Sequence, residues 1–471
     1  MGAVTSLGTA FQKEVNRVAG NISNELSNIY NIELYLAREN ESTEISPLSR
    51  EIQKITIAQD FTNNYTDKII VDLQLNLATY QWLILNRSDL YARVMFTKVD
   101  PNVPLPKYRE PEYSEYFKAI LLTQADPSKL IPASVTKEHG SPHTPYEYSS
   151  FNAKLELMDV RTYQARKKRF NVCLRGDGEH GVTMDSIIKY SIARFGFTKA
   201  SVVPPDNKTK YVNFVIPPVF GIDDLMEWLQ KSPGHGVYNN GFCSYITNGV
   251  WFVWPRYGGY ISKRAVQIYK LSPNMWNGLK KYDWQEVLSD GDVTTHILVP
   301  GNVDETNYGQ TGYENRPNMI SMQITDQIVD NCRTLLEDGK FRMEPQLRNV
   351  VVIPHKNDTA DTLNNINYDF RYSHGNTFSK ESEVVAFDQT TLRFSWNACR
   401  LFTFTPGTVV KYLYEHMSGT TLSMKVMTGS CESVTYVFEK DEGSRLYPYF
   451  KGTADVTICC SNMLAREQGI V

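Results

Sequence analysis

Net charge is nearly absent: 49 Lys and Arg face 52 Asp and Glu over 471 residues, a formal −3. No global field therefore draws nucleic acid or an anionic membrane, and partners have to be recognised by shape. Cysteine is sparse and odd in number, at seven. None of these residues forms a Cys-x-x-Cys, and Cys459 and Cys460 are adjacent, which is poor geometry for a mutual disulfide. This pattern excludes a disulfide framework or a cysteine zinc site and points to buried thiols in a reducing compartment. No apolar run approaches the ~20 residues that cross a bilayer as a helix.

Signatures of chemistry are missing as well. There is no phosphate loop, no Gly-x-Ser-x-Gly, no Gly-x-Gly-x-x-Gly after a strand and no His-Glu-x-x-His. The histidines are scattered, and the one close pair, His139 and His143, lies in a Pro-rich stretch where helical spacing has no meaning. The residues assign no catalytic group, metal or cofactor. A carbohydrate-active enzyme needs only two well-placed carboxylates, so an acidic pair among the many Asp and Glu stays open.

What is present is aromatic and β-prone: aromatics make up 12% of the chain, with 28 Tyr. The stretch GFCSYITNGVWFVWPRYGGY, residues 241–260, centres on Asn248-Gly249. That pair tolerates positive φ at both central positions of a type I′ turn, so residues 242–246 and 250–254 are predicted as a hairpin that Pro255 ends. Trp251 and Val253 alternate with Phe252 and Trp254. One pair should face the core and the other a neighbour, unless the domain's own helices cover both faces. Trp251, Phe252 and Trp254 are thus candidate assembly contacts. Upstream, Pro217-Pro218 closes a strand-like run and Asp223 is placed to cap a helix bearing Leu225, Trp228 and Leu229 on one face.

Along the chain, Val15, Val18, Ile22, Leu26, Ile29, Leu34 and Leu36 suggest an N-terminal helical arm over 1–50. Alternation from Ile52 onward suggests a first β-barrel over 51–176, interrupted by a long loop at 100–148. A mixed α/β middle follows over 177–260, with Thr183 opening a helix. Residues 261–384 carry strands plus a mixed insertion, 308–378, and 385–471 return to strands, Thr421 to Thr428 and Ser433 to Phe438 among them, as the remainder of a second barrel. The expected fold is mainly β, two barrels flanking a mixed α/β region.

Other motifs have modest readings. MGAVTSLG has no secretory pattern but fits Met-Gly-x-x-x-Ser, which would allow acylation of Gly2; a helix entry is the simpler reading. Arg175-Gly176-Asp177 reads as a Gly-rich turn with acidic residues at a helix start. Arg166-Lys167-Lys168-Arg169 reads as a solvated strand edge, with an interface as the alternative.

The segment VNFVIPPVFGIDDLMEWLQKSPGHGVYNNGFCSYITNGVWFVWPRYGG resembles the central domain of baseplate hub proteins of contractile-tailed bacteriophages, the T-even hub type. A second likeness is the run from Phe402 to Tyr412, whose Thr405-Pro406-Gly407 resembles the turn between two strands of that family's second barrel. Pro406 fixes φ and Gly407 takes the conformation that a side chain resists. The resemblance implies a virion protein of the tail baseplate, assembled in the host cytoplasm. It implies a homotrimer whose two barrels per subunit present near six-fold symmetry, joining a spike protein to the tail tube and baseplate wedge proteins. DNA would pass through its channel without specific binding. The other readings are a different adaptor of a tail or injection machine, and the carbohydrate-active enzyme.

Overall fold

The computed structural model describes residues 28–39, 47–99, 110–122, 151–176, 181–257, 265–271, 294–300, 389–418, 421–441 and 448–461, apart from single positions, together with 11–18 and a few short strands. Gly2, Ser6, His139, His143 and Asp177 lie outside the described residues, as does most of the insertion 308–378.

The described chain is mainly β. The first set of elements is β1 (Ile29–Arg38), β2 (Ile52–Asp60), β3 (Lys68–Leu75), α1 (Leu77–Leu85), β4 (Leu90–Lys98), β5 (Tyr113–Leu121) and β6 (Phe151–Asp159). After α2 (Val160–Arg166) come β7 (Val172–Arg175), β8 (Val182–Thr183), α3 (Met184–Phe195), β9 (Ala200–Val202), β10 (Lys210–Tyr211), β11 (Asn213–Ile216), α4 (Leu225–Lys231), β12 (Cys243–Thr247) and β13 (Val250–Trp254). The remaining labelled strands are β14 (Ala265–Leu271), β15 (Glu286–Leu288), β16 (Thr294–Pro300), β17 (Asp304–Asn307), β18 (Gln389–Asn397), β19 (Val409–Ser418), β20 (Thr421–Lys440) and β21 (Phe450–Ser461).

Hydrogen bonding follows the order β20-β2-β3-β6-β5-β4-β1-β21, and β21 pairs back onto β20, so these strands close a ring. The order continues outward from the same two strands, through β19, β14, β16 and β15 on one side and through β18 and β17 on the other. Two strands therefore belong to both sets. Their length makes this possible: β20 has 20 residues and β21 has 12, well beyond an ordinary strand. In β20, Thr421 to Ser430 pair with β19 and Ser433 to Glu439 pair with β2.

The change of partner falls at a register shift between Cys431 and Ser433, a β-bulge whose extra residue is Glu432. A bulge adds twist and bends its strand, which re-aims β20 from one set to the other. Just before it, Gly429 lets the strands approach closely, since a Cβ there would lie 2.1 Å from the backbone oxygen of Cys459.

Alternation sets the faces. Ile55, Ile57, Val71, Leu73, Val94, Phe96, Leu155 and Leu157 point inward and are buried. Val266, Ile268, Val410 and Tyr412 of the second set join the same continuous core, which runs across the shared strands. On the outside of the ring, Lys451, Glu439, Lys54, Asp72 and Lys154 stand side by side on five successive strands. Their charges alternate in sign, with Lys54–Glu439 at 2.8 Å and Lys154–Asp72 at 3.4 Å. Opposite charges facing one another support the pairing register, and three positive charges against two negative leave the row at only +1.

Several local expectations change. Residues 29–38, assigned to a helical arm, are β1, because Ile32, Leu34 and Leu36 recur every second residue and all are buried. Among the described residues of that arm, the helical ones lie within 11–18, where Phe11, Val15 and Val18 pack on Tyr269, Leu271, Leu298 and Leu413 of the second set. The stretch 100–148 contains β5, Tyr113–Leu121, inside the ring. Thr421–Thr428 and Ser433–Phe438 are not two strands but parts of β20. That segment, 385–471, is thereby joined to strands of the first set as well as the second.

Candidate functional site

The hairpin sits where the ring, the middle module and the shared strands meet. Asn248 and Gly249 have φ of 50° and 70°, the positive pair that a type I′ turn needs. The turn is held from outside by Arg161, whose Nη1 donates to Gly249 O at 3.3 Å. Residues pair from Cys243↔Trp254 to Thr247↔Val250, and β9 adds a third, parallel strand to β13.

The two hairpin faces enter two different cores. Trp251 and Val253 are buried with α3 and α4, where Trp251 meets Phe197 at 5.1 Å and Phe195 at 5.8 Å between ring centroids. Its Nε1 donates to Ser244 Oγ at 2.8 Å. Trp254 belongs to the barrel core, against Phe61, which in turn meets Tyr245 edge-on at 4.9 Å. Phe252 is half-buried against that barrel core. Both tryptophans are thus enclosed by this chain itself, at 1% and 2% exposure, and the neighbour that the second face meets is the chain's own barrel.

The supporting helices form for local reasons. Thr183 caps α3 in a capping box with Ser186, and Gly196 ends it at φ 101°. Asp223 does not cap α4: the cap position is Asp224, in a helical conformation with no side-chain cap bond. Leu225 and Leu229 are buried as expected, and Trp228 packs at the edge of the same core. The basic run is also reassigned. Arg166 ends α2, and Lys168 Nζ donates to Phe195 O at 2.8 Å, where a cation suits the C-terminus of α3. It is a helix clamp and not a strand edge.

Beyond the hairpin, Arg256 reaches back to the bulge. Its Nε donates to Glu432 Oε1 at 2.9 Å and its Nη2 donates to the same oxygen. Glu432 O accepts from Phe61 N at 2.8 Å, and Ser430 Oγ donates to Arg256 O at 3.2 Å. Burial works against the Arg256 charge, but the Glu432 carboxylate more than offsets it and the guanidinium is held above its ordinary pKa. One ion pair therefore fixes the exit of the middle module to the residue where β20 changes partners. We expect Glu432→Gln to lower stability by about 2 kcal/mol through loss of a charge-assisted pair in partial burial. Urea unfolding of the two proteins measures it.

The thiols around this junction are inert by environment. Burial pushes the Cys243 thiol up to about 12 and those of Cys431 and Cys459 well above their ordinary value. Among the described residues no group of three or more His, Cys, Asp or Glu could hold a metal ion. The second turn is also built locally. Thr408 N donates to Thr405 O at 3.1 Å, Thr405 N donates to Thr408 Oγ1 at 3.2 Å, and Gly407 sits at φ 67°. With Pro406 and Gly407 central, this is a type II arrangement. Its flanks are anchored in the core, where Leu401 N donates to Tyr30 Oη and Phe404 N donates to Tyr436 Oη.

No protein-family model matches this sequence, and no curated protein matches it. Solved structures do. A PdpA–VgrG complex in its lidless form matches at a TM-score of 0.36 and 8% identity, covering 92% of this chain and 65% of that one. The lidded Francisella PdpA–VgrG complex matches at 0.35 and 9%, covering 95% and 55%. The E. coli c3393 protein, described as a component of the type VI secretion system with structural similarity to the T4 bacteriophage tail proteins gp27 and gp5, matches at 0.34 and 7%, covering 89% and 76%. This chain spans about two thirds or less of the length of the first two.

Proposed function

We propose that this chain is a structural subunit of a phage-tail-like injection machine and, within that class, a baseplate hub subunit. Three copies would form a ring that adapts a spike to a tube around a channel. The observation that carries the reading is the pair of strands β20 and β21, each hydrogen-bonded to both strand sets. Such sharing makes one subunit present two β units that cannot swivel freely, because bending between them would break continuous ladders. Three subunits would then offer six β units to a six-fold tube while keeping three-fold symmetry for the spike. The alternating charge row on the ring exterior and the near-zero net charge suit a channel protein that releases DNA. Of the candidate contacts Trp251, Phe252 and Trp254, half-buried Phe252 is the one a neighbouring subunit could still reach.

The solution mass of the purified chain, alone and mixed with candidate spike and tube proteins, tests this reading. The expected species is three times the 53.8 kDa of one chain. A chain that stays monomeric with those partners present would remove the hub reading.

A further inference from the structure

One carboxylate lies under the hairpin. Asp67 precedes β3 and is a half-buried residue whose carboxylate turns beneath β12. Its Oδ1 accepts from Gln59 Nε2 at 2.8 Å and Tyr245 Oη at 2.9 Å, and its Oδ2 accepts from Thr247 Oγ1 at 2.6 Å. Two of these donors belong to the middle module and one to the ring, so the carboxylate is the polar tie between them. Ile246 N donates to Tyr65 O at 2.8 Å beside it, and Thr66 bridges to Ile246.

None of the three hydrogen-bond donors is charged. The ionisable groups that bear on the carboxylate from surrounding elements are Asp159 at the end of β6 and the phenols of Tyr113 on β5 and Tyr245 on β12. Asp60, at the end of β2, bears on Tyr245. Burial, and after it the nearby Asp159 carboxylate, work against a negative charge on Asp67, while the three donors work for it, and burial is the larger effect. Beside it, Gln59 Oε1 is buried and has no partner. A half-turn of that amide would put Oε1 where Nε2 now donates, ready to accept a proton held on Asp67 Oδ1.

We propose that Asp67 is a proton-controlled latch of the joint between the ring and the hairpin, closing the joint more tightly when protonated and loosening it when ionised. Burial raises the carboxyl to about 6, against the opposing pull of Thr247, Gln59 and Tyr245. Once the hairpin lifts and water reaches it, the group returns to the ordinary value of about 3.9. The folded value is the raised one, so the closed joint is favoured fully below about pH 4 and loses that advantage as pH rises through 6. From pH 5 to pH 8 the open fraction should increase about tenfold.

Hydrogen exchange of the full chain tests the latch, with the peptide containing Ile246 compared with one from β4 and rates corrected for intrinsic pH dependence. The wild type should lose about tenfold protection at Ile246 from pH 5 to pH 8 relative to β4, and Asp67→Asn should show no such change. A flat wild-type profile, or the same slope in Asp67→Asn, would overturn the proposal. Should Asp67→Asn fail to fold, Thr247→Val keeps the question open to test. Removing a donor to the carboxylate must move the transition to higher pH, and an unmoved transition would count against the latch.

Discussion

Gly429→Ala should destabilise this protein by about 3 kcal/mol or more, an unusually large effect for one methyl group. The added Cβ would lie 2.1 Å from Cys459 O and 2.8 Å from Cys459 C, both backbone atoms of the paired strand. No side-chain rotation relieves such a clash, so β20 and β21 must separate where they pass from one strand set to the other. The damage should spread in both directions, since each strand belongs to both sets. Thermal unfolding with exchange measured on β2 and on β19 checks this. Both strands should lose protection together in Gly429→Ala, and loss confined to one set would show that the shared strands do not couple them.

Trp251→Ala should cost about 3–5 kcal/mol, the range for removing a large aromatic from a core. Here the effect should be local. Trp251 is packed with Phe195, Phe197 and the helices of the middle module, whereas Trp254, three residues on, is packed in the ring. The variant should expose α3 and α4 to exchange at denaturant concentrations that leave the ring strands protected. A single transition with all elements lost at once would mean that the two cores fold as one unit. Either way, a free hairpin surface is not what these tryptophans supply, because both are enclosed by their own chain.

The hairpin was legible because its signals are local. Asn248-Gly249 demands positive φ twice, Pro255 ends the ladder, and alternation separates Trp251 from Trp254. What covers each face was not legible, since period-two alternation states that two faces exist and says nothing about which chain meets them. The Thr405-Pro406-Gly407 turn was readable for the same local reason as the hairpin turn.

β20 shows the opposite case. Gly429 and the polar run around Glu432 break its apolar alternation, so it reads as two strands with a turn between them. Only the long-range partners, Cys459 beside Gly429 and Arg256 beside Glu432, turn that interruption into a bulge within one strand. β1 failed differently: Val15, Val18, Ile29, Leu34 and Leu36 are too sparse to separate a period of 3.6 from one of 2, and pairing with β4 decides it. Asp67 gave no sequence signal at all. An Asp in a polar turn looks solvated until Tyr245 and Thr247 are brought over it from far along the chain.

In the proposed hub, one chain presents two coupled β units and three chains make a ring. End-on electron-microscope views of the purified assembly test it most directly. The expected views are three-fold particles with a central hole and six comparable densities around it, two from each chain. Particles with three densities, or with no hole, would contradict it.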